Sequence, residues 1–219
     1  MSHLRRPHIR LRLAALLLVL TAPLVACSDD EEVAKSFRQD LAEIVTDADG
    51  VQRYLVRDDG DTLLVTNGAA RNVLSPDTVY RVRALYTLND QGAEVSTLTS
   101  VFSPNPVEMT SSVVLRDSLS LDAIWRGGRY VNLLVSYKSG GINHSAAFID
   151  NGIVTSPSGT RLLRLTLYHS NNGDREYYTQ QVYMSCPLYN YADQLTSGRD
   201  SIEFTVTTYD GTVKHRLPY

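Results

Sequence analysis

Turn dipeptides divide this 219-residue chain into short segments, and their spacing constrains the fold more than any other feature. Each dipeptide joins Asn or Asp to Gly, and the six lie at residues 49–50, 59–60, 67–68, 151–152, 172–173 and 210–211. Gly and Asn tolerate the positive φ angles that tight β-hairpin turns require. We therefore expect many neighbouring segments to be β-strands joined by hairpins.

Between these turns, apolar and polar residues alternate with a period of two, as they do in half-buried strands. Ile202, Phe204 and Val206, for example, alternate with acidic and hydroxyl side chains. Good helix-forming residues gather only around residues 33–42 and, more weakly, 191–196. The chain is therefore predicted to be nearly all β.

Pro104 and Pro106 mark the best candidate for a linker, because proline disfavours both helices and strand ladders. We expect one domain at residues 37–104 and a second at residues 108–219. For the first domain the pattern predicts strands near residues 39–46, 51–57, 62–66, 79–88 and 93–101, which suit a small closed barrel. For the second it predicts strands near residues 119–126, 129–137, 143–150, 161–169, 175–185, 201–208 and 212–217, the number of a two-sheet β-sandwich.

The first 26 residues are typical of a cleavable lipoprotein signal peptide. Four arginines precede an apolar stretch that is too short for a span of about 20 residues. We predict cleavage between Ala26 and Cys27 and acylation of Cys27, for example with palmitate. Several acyl chains hold a protein stably at a membrane, so no transmembrane helix is needed.

Removal of residues 1–26 changes the formal net charge from −3 to −7, because this segment holds four arginines and no acidic residue. Nucleic acid is therefore not expected as a partner. Residues 27–36 are expected to be a solvated acidic tether. The acidic run at residues 28–32 is either a plain spacer or, as it resembles the surface-export signal of Bacteroidota lipoproteins, a sign of outer-membrane location facing the cell exterior.

Several segments in a fixed order carry a family resemblance. They are the acidic start, Tyr-Leu-Val-Arg-Asp-Asp-Gly at residues 54–60, Ile-Trp-Arg-Gly-Gly-Arg-Tyr-Val-Asn-Leu at residues 124–133, residues 165–174 and residues 209–211. Together they resemble the NigD-like lipoproteins of Bacteroidota over most of the mature chain. The chain departs from that pattern in its long arginine-rich leader and around residues 187–191.

The resemblance implies an N-terminal OB-like barrel followed by a C-terminal antiparallel β-sandwich. It also implies a link to a bacteriocin-like secreted factor, since the family is named after an operon associated with bacteriocin production. It supplies no catalytic residue, so none is assigned to this chain.

Aromatic residues are the candidates for a binding surface. Trp125, the only tryptophan, is interpreted first as a buried anchor and second as a platform for sugar rings. A cluster of five tyrosines either forms an exposed patch that binds proteins or glycans or completes a half-buried sheet. These tyrosines are Tyr177, Tyr178, Tyr183, Tyr189 and Tyr191. The face of the predicted barrel is a further candidate surface.

The residues that could carry other chemistry are read as structural. His144, His169 and His215 each stand alone on a predicted strand, without a metal-ligand spacing. Cys186 is expected to be a small buried thiol, and it has no disulfide partner once Cys27 is acylated. Residues 127–128, a Gly-Gly pair, are expected to form a hairpin turn.

Two acidic turns, at residues 47–50 and 58–61, lack the bidentate acid of a calcium loop and are read as hairpins. We therefore expect neither a metal nor a cofactor. The sequence predicts a non-enzymatic, lipid-anchored envelope protein that binds an envelope or secreted protein. The alternatives are a glycan-binding surface lipoprotein and, with less support, an envelope hydrolase.

Overall fold

The computed structural model describes residues 36–109 and 117–219, and residues Ser36–Tyr219 group as one compact unit. The predicted signal peptide, the cleavage site at Ala26, the lipidation site at Cys27 and the acidic tether up to residue 35 lie outside the described residues. Among the described residues, no helix has the length and apolar character needed to cross a membrane.

A five-stranded antiparallel sheet forms the first part of the fold. Its strands are β1 (Phe37–Thr46), β2 (Gln52–Arg57), β3 (Thr62–Leu64), β4 (Val79–Asn89) and β5 (Gly92–Ser100), in the order β3-β2-β1-β4-β5. Val65 forms a bridge with Ala93, and Thr66 donates its backbone N–H to the Ala93 carbonyl at 2.9 Å. These contacts bring the two sheet edges together and close the sheet into a barrel.

Alternate residues of β1 and β4 fill the core of the barrel. Ala42 and Ile44 from β1 and Val82, Ala84 and Tyr86 from β4 are almost inaccessible to solvent. The residues between them therefore point outward, because successive side chains of a strand lie on opposite faces. This outward face carries the charged residues of the functional site.

Eight strands form the second part of the fold. They are β6 (Val107–Glu108), β7 (Ser120–Gly127), β8 (Tyr130–Ser139), β9 (Ser145–Thr155), β10 (Arg161–Ser170), β11 (Tyr178–Pro187), β12 (Ser201–Thr208) and β13 (Gly211–Pro218). One sheet has the order β13-β12-β10-β9-β6 and the other the order β11-β8-β7. Between them lies a second hydrophobic core, separate from the barrel core, that includes Leu133, Phe148 and Phe204.

The prediction of a small barrel followed by a β-sandwich is confirmed, and each predicted strand has a counterpart. The sandwich gains the short strand β6, which follows the two prolines and pairs in parallel with β9. Strands β10 and β12 also pair in parallel, while the remaining pairs are antiparallel. Cys186 is a buried thiol as predicted, and burial raises its pKa.

The helix-forming residues noted around 33–42 form no helix in their described part, because residues 37–46 form β1, in agreement with the strand predicted near residues 39–46. Residues 37–42 pair with β4, and Ala42 at the end of this segment lies in the barrel core. Near residues 191–196 the chain forms only a 3₁₀ turn at Tyr189–Tyr191. Strand pairing and burial therefore outweigh local helix propensity here.

Candidate functional site

The outward face of the barrel sheet packs against the sheet β11-β8-β7, and the contact is polar. Arg81 on β4 is the central residue, with only 4% of its side chain exposed. Its guanidinium donates two hydrogen bonds to the carboxylate of Asp58, at 2.6 and 2.8 Å. It also donates to Ser185 Oγ at 3.0 Å and to Asn132 Oδ1 at 2.9 Å, both in the sandwich.

The partners of Arg81 are also bonded to one another. Asn132 donates from Nδ2 to Asp58 Oδ2 at 2.8 Å, and the Ser185 hydroxyl donates to Asn132 Oδ1 at 2.8 Å. The guanidinium carbon of Arg81 stacks 3.9 Å from the centre of the Tyr130 ring. A buried charge is tolerated only with such paired partners, so this network holds the barrel and the sandwich together.

A second ion pair borders the first. Glu43, on β1, accepts a hydrogen bond from the Tyr130 hydroxyl at 2.7 Å and two from Arg129, at 2.9 and 2.7 Å. Burial raises the pKa of Tyr130, and the Glu43 carboxylate raises it further. Glu43 and the network around Arg81 together form a cluster of six residues, which we call the polar clasp: Glu43, Asp58, Arg81, Tyr130, Asn132 and Ser185.

The turn between β7 and β8 reaches the clasp through its two glycines. A Cβ atom on Gly127 would lie 2.6 Å from both Asn132 Nδ2 and Asp58 Oδ2. Gly128 has a φ of 51° and would bring a Cβ atom to 3.0 Å from the Asp58 carbonyl oxygen. The predicted hairpin turn is confirmed, and its glycines let the backbone of the sandwich approach the barrel closely.

A cleft of about 310 Å³ opens beside the clasp, and we call it the junction cleft. It is lined by residues of both parts of the fold: Gln39, Asp40, Leu41, Arg57, Asp58, Asp59, Arg83, Trp125 and Tyr183. Trp125 is half-buried in its wall and does not belong to the sandwich core, whereas its neighbour Ile124 packs against that core. The expectation of a buried tryptophan anchor is therefore wrong, because the alternation of β7 turns Trp125 toward the barrel.

The two arginines of the junction cleft, Arg57 and Arg83, differ in the groups that they contact. Arg57 faces three carboxylates, with contacts of 2.8 Å to Asp59, 3.0 Å to Asp61 and 3.6 Å to Asp40. Its Nε atom is nevertheless buried without a hydrogen-bond partner among the described residues. Arg83 lies over the ring of Tyr183, with 5.4 Å between the guanidinium carbon and the ring centre.

The structure does not bring the five candidate tyrosines together on one surface. Tyr177 and Tyr178 are exposed near the start of β11, whereas Tyr183 further along the strand lines the junction cleft. Tyr189 is 42% exposed and packs edge-on against Tyr130 of the clasp, with 6.3 Å between ring centres. Tyr191 is buried and donates to Asp150 Oδ2 at 2.7 Å. Tyr191 is therefore removed from the candidate surface.

Two histidines that look isolated in the sequence lie together in the fold. His144 Nδ1 is 3.0 Å from His169 Nε2, and His144 Nε2 is 3.3 Å from Asp174 Oδ2. His169 Nδ1 faces the Asp117 carbonyl at 3.0 Å, so it donates a proton there. Tyr137 stacks on both imidazoles, with 4.5 and 5.3 Å between ring centres. We call His144, His169 and Asp174 the histidine cluster.

The contacts of the histidine cluster indicate a buried structural element. Burial lowers the pKa of His169, which favours its neutral form. Burial works to raise the pKa of Asp174, but hydrogen bonds from the Gly140 backbone and the Ser139 hydroxyl lower it below its usual range. The Ser139 hydroxyl donates to the carboxylate at 2.9 Å. This hydroxyl is therefore paired with an acid rather than with an imidazole that could activate it as a nucleophile.

Within residues 36–109 and 117–219, no group of three His, Cys, Asp or Glu side chains is placed to hold a metal ion. In the two acidic turns, Asp47 and Asp58 accept hydrogen bonds from groups of the protein. Asp47 accepts from the backbone N–H groups of Asp49 and Val51, at 3.0 and 2.9 Å, and Asp58 belongs to the polar clasp.

A barrel and a β-sandwich joined by a buried polar junction define a two-domain, all-β protein, and its sequence identifies the family. The NigD-like N-terminal OB domain matches residues 41–98, and the NigD-like C-terminal β-sandwich domain matches residues 103–218. The chain belongs to the NigD-like family. The matched ranges place the clasp and the cleft between the two family domains.

Solved structures share this arrangement. A NigD-like immunity protein from Bacteroides caccae is 25% identical, with a TM-score of 0.63 over 81% of this chain and 91% of that chain. A protein from Parabacteroides distasonis, provisionally named as toxin-related, is 18% identical, with a TM-score of 0.67 over 84% and 93% of the two chains. A protein of unknown function from Bacteroides vulgatus is 16% identical, with a TM-score of 0.62 over 83% and 91%. No curated protein matches the chain.

Proposed function

We propose that this NigD-like chain is a non-enzymatic envelope lipoprotein that binds another protein through the junction cleft. Cys27 would carry the lipid, and the acidic tether would hold the folded part away from the outer membrane, facing the cell exterior. The partner would be an envelope protein or a secreted, bacteriocin-like factor.

The composition of the junction cleft carries this proposal. The cleft gathers Trp125, Tyr183, Arg57 and Arg83 from four different strands of both domains. Tryptophan, tyrosine and arginine are the residue types that contribute most to protein-binding hot spots. A concave surface with these residues at its centre and the exposed Gln39 at its edge has the anatomy of a small protein-binding site.

The family adds support for the class of partner. The similar structure from Bacteroides caccae is named as an immunity protein, and its chain is 25% identical to this one. An immunity role would require recognition of a toxic protein or peptide. A toxic protein or peptide is therefore the class of partner that we propose for this chain.

Site-specific photo-crosslinking in cells tests the proposal. A benzoylphenylalanine at position 39, in the wall of the cleft, should form an adduct with a specific protein. The same probe at position 154, a residue of β9 that is 44% exposed and does not line the cleft, serves as the matched control. Trp125→Ala should abolish the adduct at position 39. Equal adducts at both positions, or an adduct that survives Trp125→Ala, would contradict a binding role of the cleft.

The anchor and the location need their own measurement. Cys27→Ala should release the protein from the membrane fraction, and protease added to intact cells should remove the wild-type protein. Full protection of the protein until the cells are permeabilised would refute surface display, and membrane retention of Cys27→Ala would refute lipid anchoring.

Glycan binding is the second candidate, and one feature favours it. The half-buried indole of Trp125 lies in the same cleft as the carboxylates of Asp40 and Asp59, and sugar sites combine aromatic rings with acceptors for hydroxyl groups. Trp125 is the only tryptophan, so its fluorescence reports directly on the cleft. Saturable quenching by an oligosaccharide from a glycan panel, lost in Asp59→Asn, would support this candidate over a protein partner.

A further inference from the structure

The junction cleft contains one cation whose charge the fold leaves without an anion. Among the described residues, the side chain of Arg83 contacts the ring of Tyr183 but makes no ion pair and no hydrogen bond. The carboxylates of the cleft are already paired, since Asp58 binds Arg81 and Asp59 binds Arg57. Asp40 accepts the Tyr86 hydroxyl at 2.7 Å. Arg83 is therefore the charged group of the cleft that is available to bind an anionic group of a ligand.

The cleft also contains a free strand edge. Strand β1 begins at Phe37, but its pairing with β2 begins only at Ala42, opposite Arg57. On the other side, β4 pairs with β1 from Phe37 onward. Within residues 36–109 and 117–219, no strand pairs with residues 37–41 on the β2 side. This edge offers backbone donors and acceptors, which is how extended peptides add to a sheet.

The free edge and the cation are in register. Leu41 on β1 lies directly opposite Arg83 on β4, so their side chains share the outward face that meets the sandwich. A peptide strand added to the free edge would lie about 4.8 Å from β1 and about twice that from β4. An acidic side chain of the peptide and the long side chain of Arg83 together span that distance across Leu41.

From these observations we propose that the junction cleft binds an extended, acidic peptide segment of the partner protein. Its backbone pairs with residues 37–41 of β1, its carboxylate pairs with Arg83, and a neighbouring side chain packs against Trp125. This inference rests on the proposed function and adds the chemistry of the ligand. It favours a peptide over a glycan because a strand edge recognises a polypeptide backbone.

A random decapeptide display library, selected against the mature chain with Cys27→Ala, tests this inference. Wild type should enrich peptides with an acidic residue at a fixed position within an alternating apolar pattern. Arg83→Glu should lower the affinity of an enriched peptide about tenfold or more and should select Lys or Arg at the same position. Arg164→Glu, at an exposed arginine of β10 that does not line the cleft, should leave the selection unchanged.

Synthetic versions of an enriched peptide test the strand pairing. N-methylation of alternate peptide bonds should abolish binding in one register and leave it intact in the other, because only one set of N–H groups faces β1. The inference is overturned if Arg83→Glu selects the same peptides as wild type, if no peptide is enriched, or if both N-methylation registers bind equally. A protein adduct at position 39 that is insensitive to Arg83→Glu would keep the proposed function while overturning this inference.

Discussion

The polar clasp and the histidine cluster are both buried and polar, but they are built from different groups. The clasp is centred on the buried ion pair between Arg81 and Asp58. The histidine cluster joins His144, His169 and Asp174, and burial lowers the pKa of His169 within it. Histidine is the side chain that changes charge most readily near neutral pH, so a pH effect on stability is expected first at the histidine cluster.

The two clusters also differ in what they connect. Arg81 and Ser185 are separated by 104 positions and belong to different domains. His144 and Asp174 are separated by 30 positions within the sandwich. Loss of the clasp should therefore affect the relation of the two domains and the junction cleft, whereas loss of the histidine cluster should affect the sandwich alone.

Arg81→Ala should have the largest effect on stability. It leaves the Asp58 carboxylate and the amide of Asn132 without their main partner, and breaking a buried ion pair costs about 3–5 kcal/mol. Urea unfolding of the mature chain measures the loss. Arg83→Ala, on the same face of β4 but without an ion pair among the described residues, is the matched control and should cost less than about 1 kcal/mol.

Gly127→Ala should come next, with a loss of about 1–3 kcal/mol from forced overpacking. Its Cβ atom would lie 2.6 Å from Asp58 Oδ2 and Asn132 Nδ2, so the clasp must shift. The emission of Trp125, two residues away, should shift as well. Gly152→Ala is the control, because its φ of 81° adds backbone strain but no atom lies within 4 Å of the new Cβ. An unchanged Trp125 emission in Gly127→Ala would show that the turn is not in tight contact with the barrel.

The pH dependence of stability should report on the histidine cluster. Burial lowers the pKa of His169 in the folded state, so the unfolded state binds the extra proton. The contribution of neutral His169 to the free energy of unfolding is therefore fully present above the unfolded-state pKa of about 6.5. It is lost as the pH falls through that value. Unfolding free energies at pH 7.5 and pH 5.5 measure this loss. His169→Gln should be less stable at pH 7.5 but should show a smaller difference between the two pH values.

Asp174 affects stability in a lower pH range, again because its pKa differs between the folded and unfolded states. Its folded pKa is depressed, so its contribution is present above the unfolded pKa of about 3.9 and is lost as the pH falls below it. A titration from pH 7.5 to pH 3 should therefore show two steps of destabilisation. A flat profile between pH 7.5 and pH 5.5 would contradict the assignment of a neutral His169.

Arg164→Ala should have the smallest effect. Arg164 is 48% exposed and lies 3.8 Å from Glu203, and surface ion pairs of this kind contribute about 0–1 kcal/mol. Its midpoint of urea unfolding should stay close to that of wild type. A loss of stability as large as that of Arg81→Ala would show that burial does not determine how much each charged pair contributes to the stability of this fold.

The elements of the fold followed from local patterns in the sequence. Alternation and turn dipeptides predicted the strands of both domains, because hairpins bring together residues that are near in sequence. Short strand β6 escaped prediction, since its two residues after the prolines form no pattern of their own. The helix-forming residues within 37–42 lie in β1 because this segment pairs with β4, which is distant in sequence.

The site was less predictable because its contacts are long-range. Trp125 and Tyr183 were singled out, but nothing in one sequence places them beside Arg83 on another domain. A weak signal for the clasp is present in Asn132, a polar residue within the apolar run of β8, and in Arg81, a charged residue between the apolar neighbours Tyr80 and Val82 on β4. Polar residues at such positions need buried partners. The histidine pair gave no signal, since its members come from separate segments.

Unfolding of the mature chain followed by two probes tests the central claim that the clasp joins both domains and their cleft into one unit. Trp125, the only tryptophan, reports on the junction, and far-ultraviolet circular dichroism reports on the strands of both domains. Wild type should show coincident urea transitions by both probes, and Arg81→Ala should show an earlier fluorescence transition. A wild-type fluorescence transition that precedes the loss of strand signal would show that the junction opens independently, and it would contradict the claim.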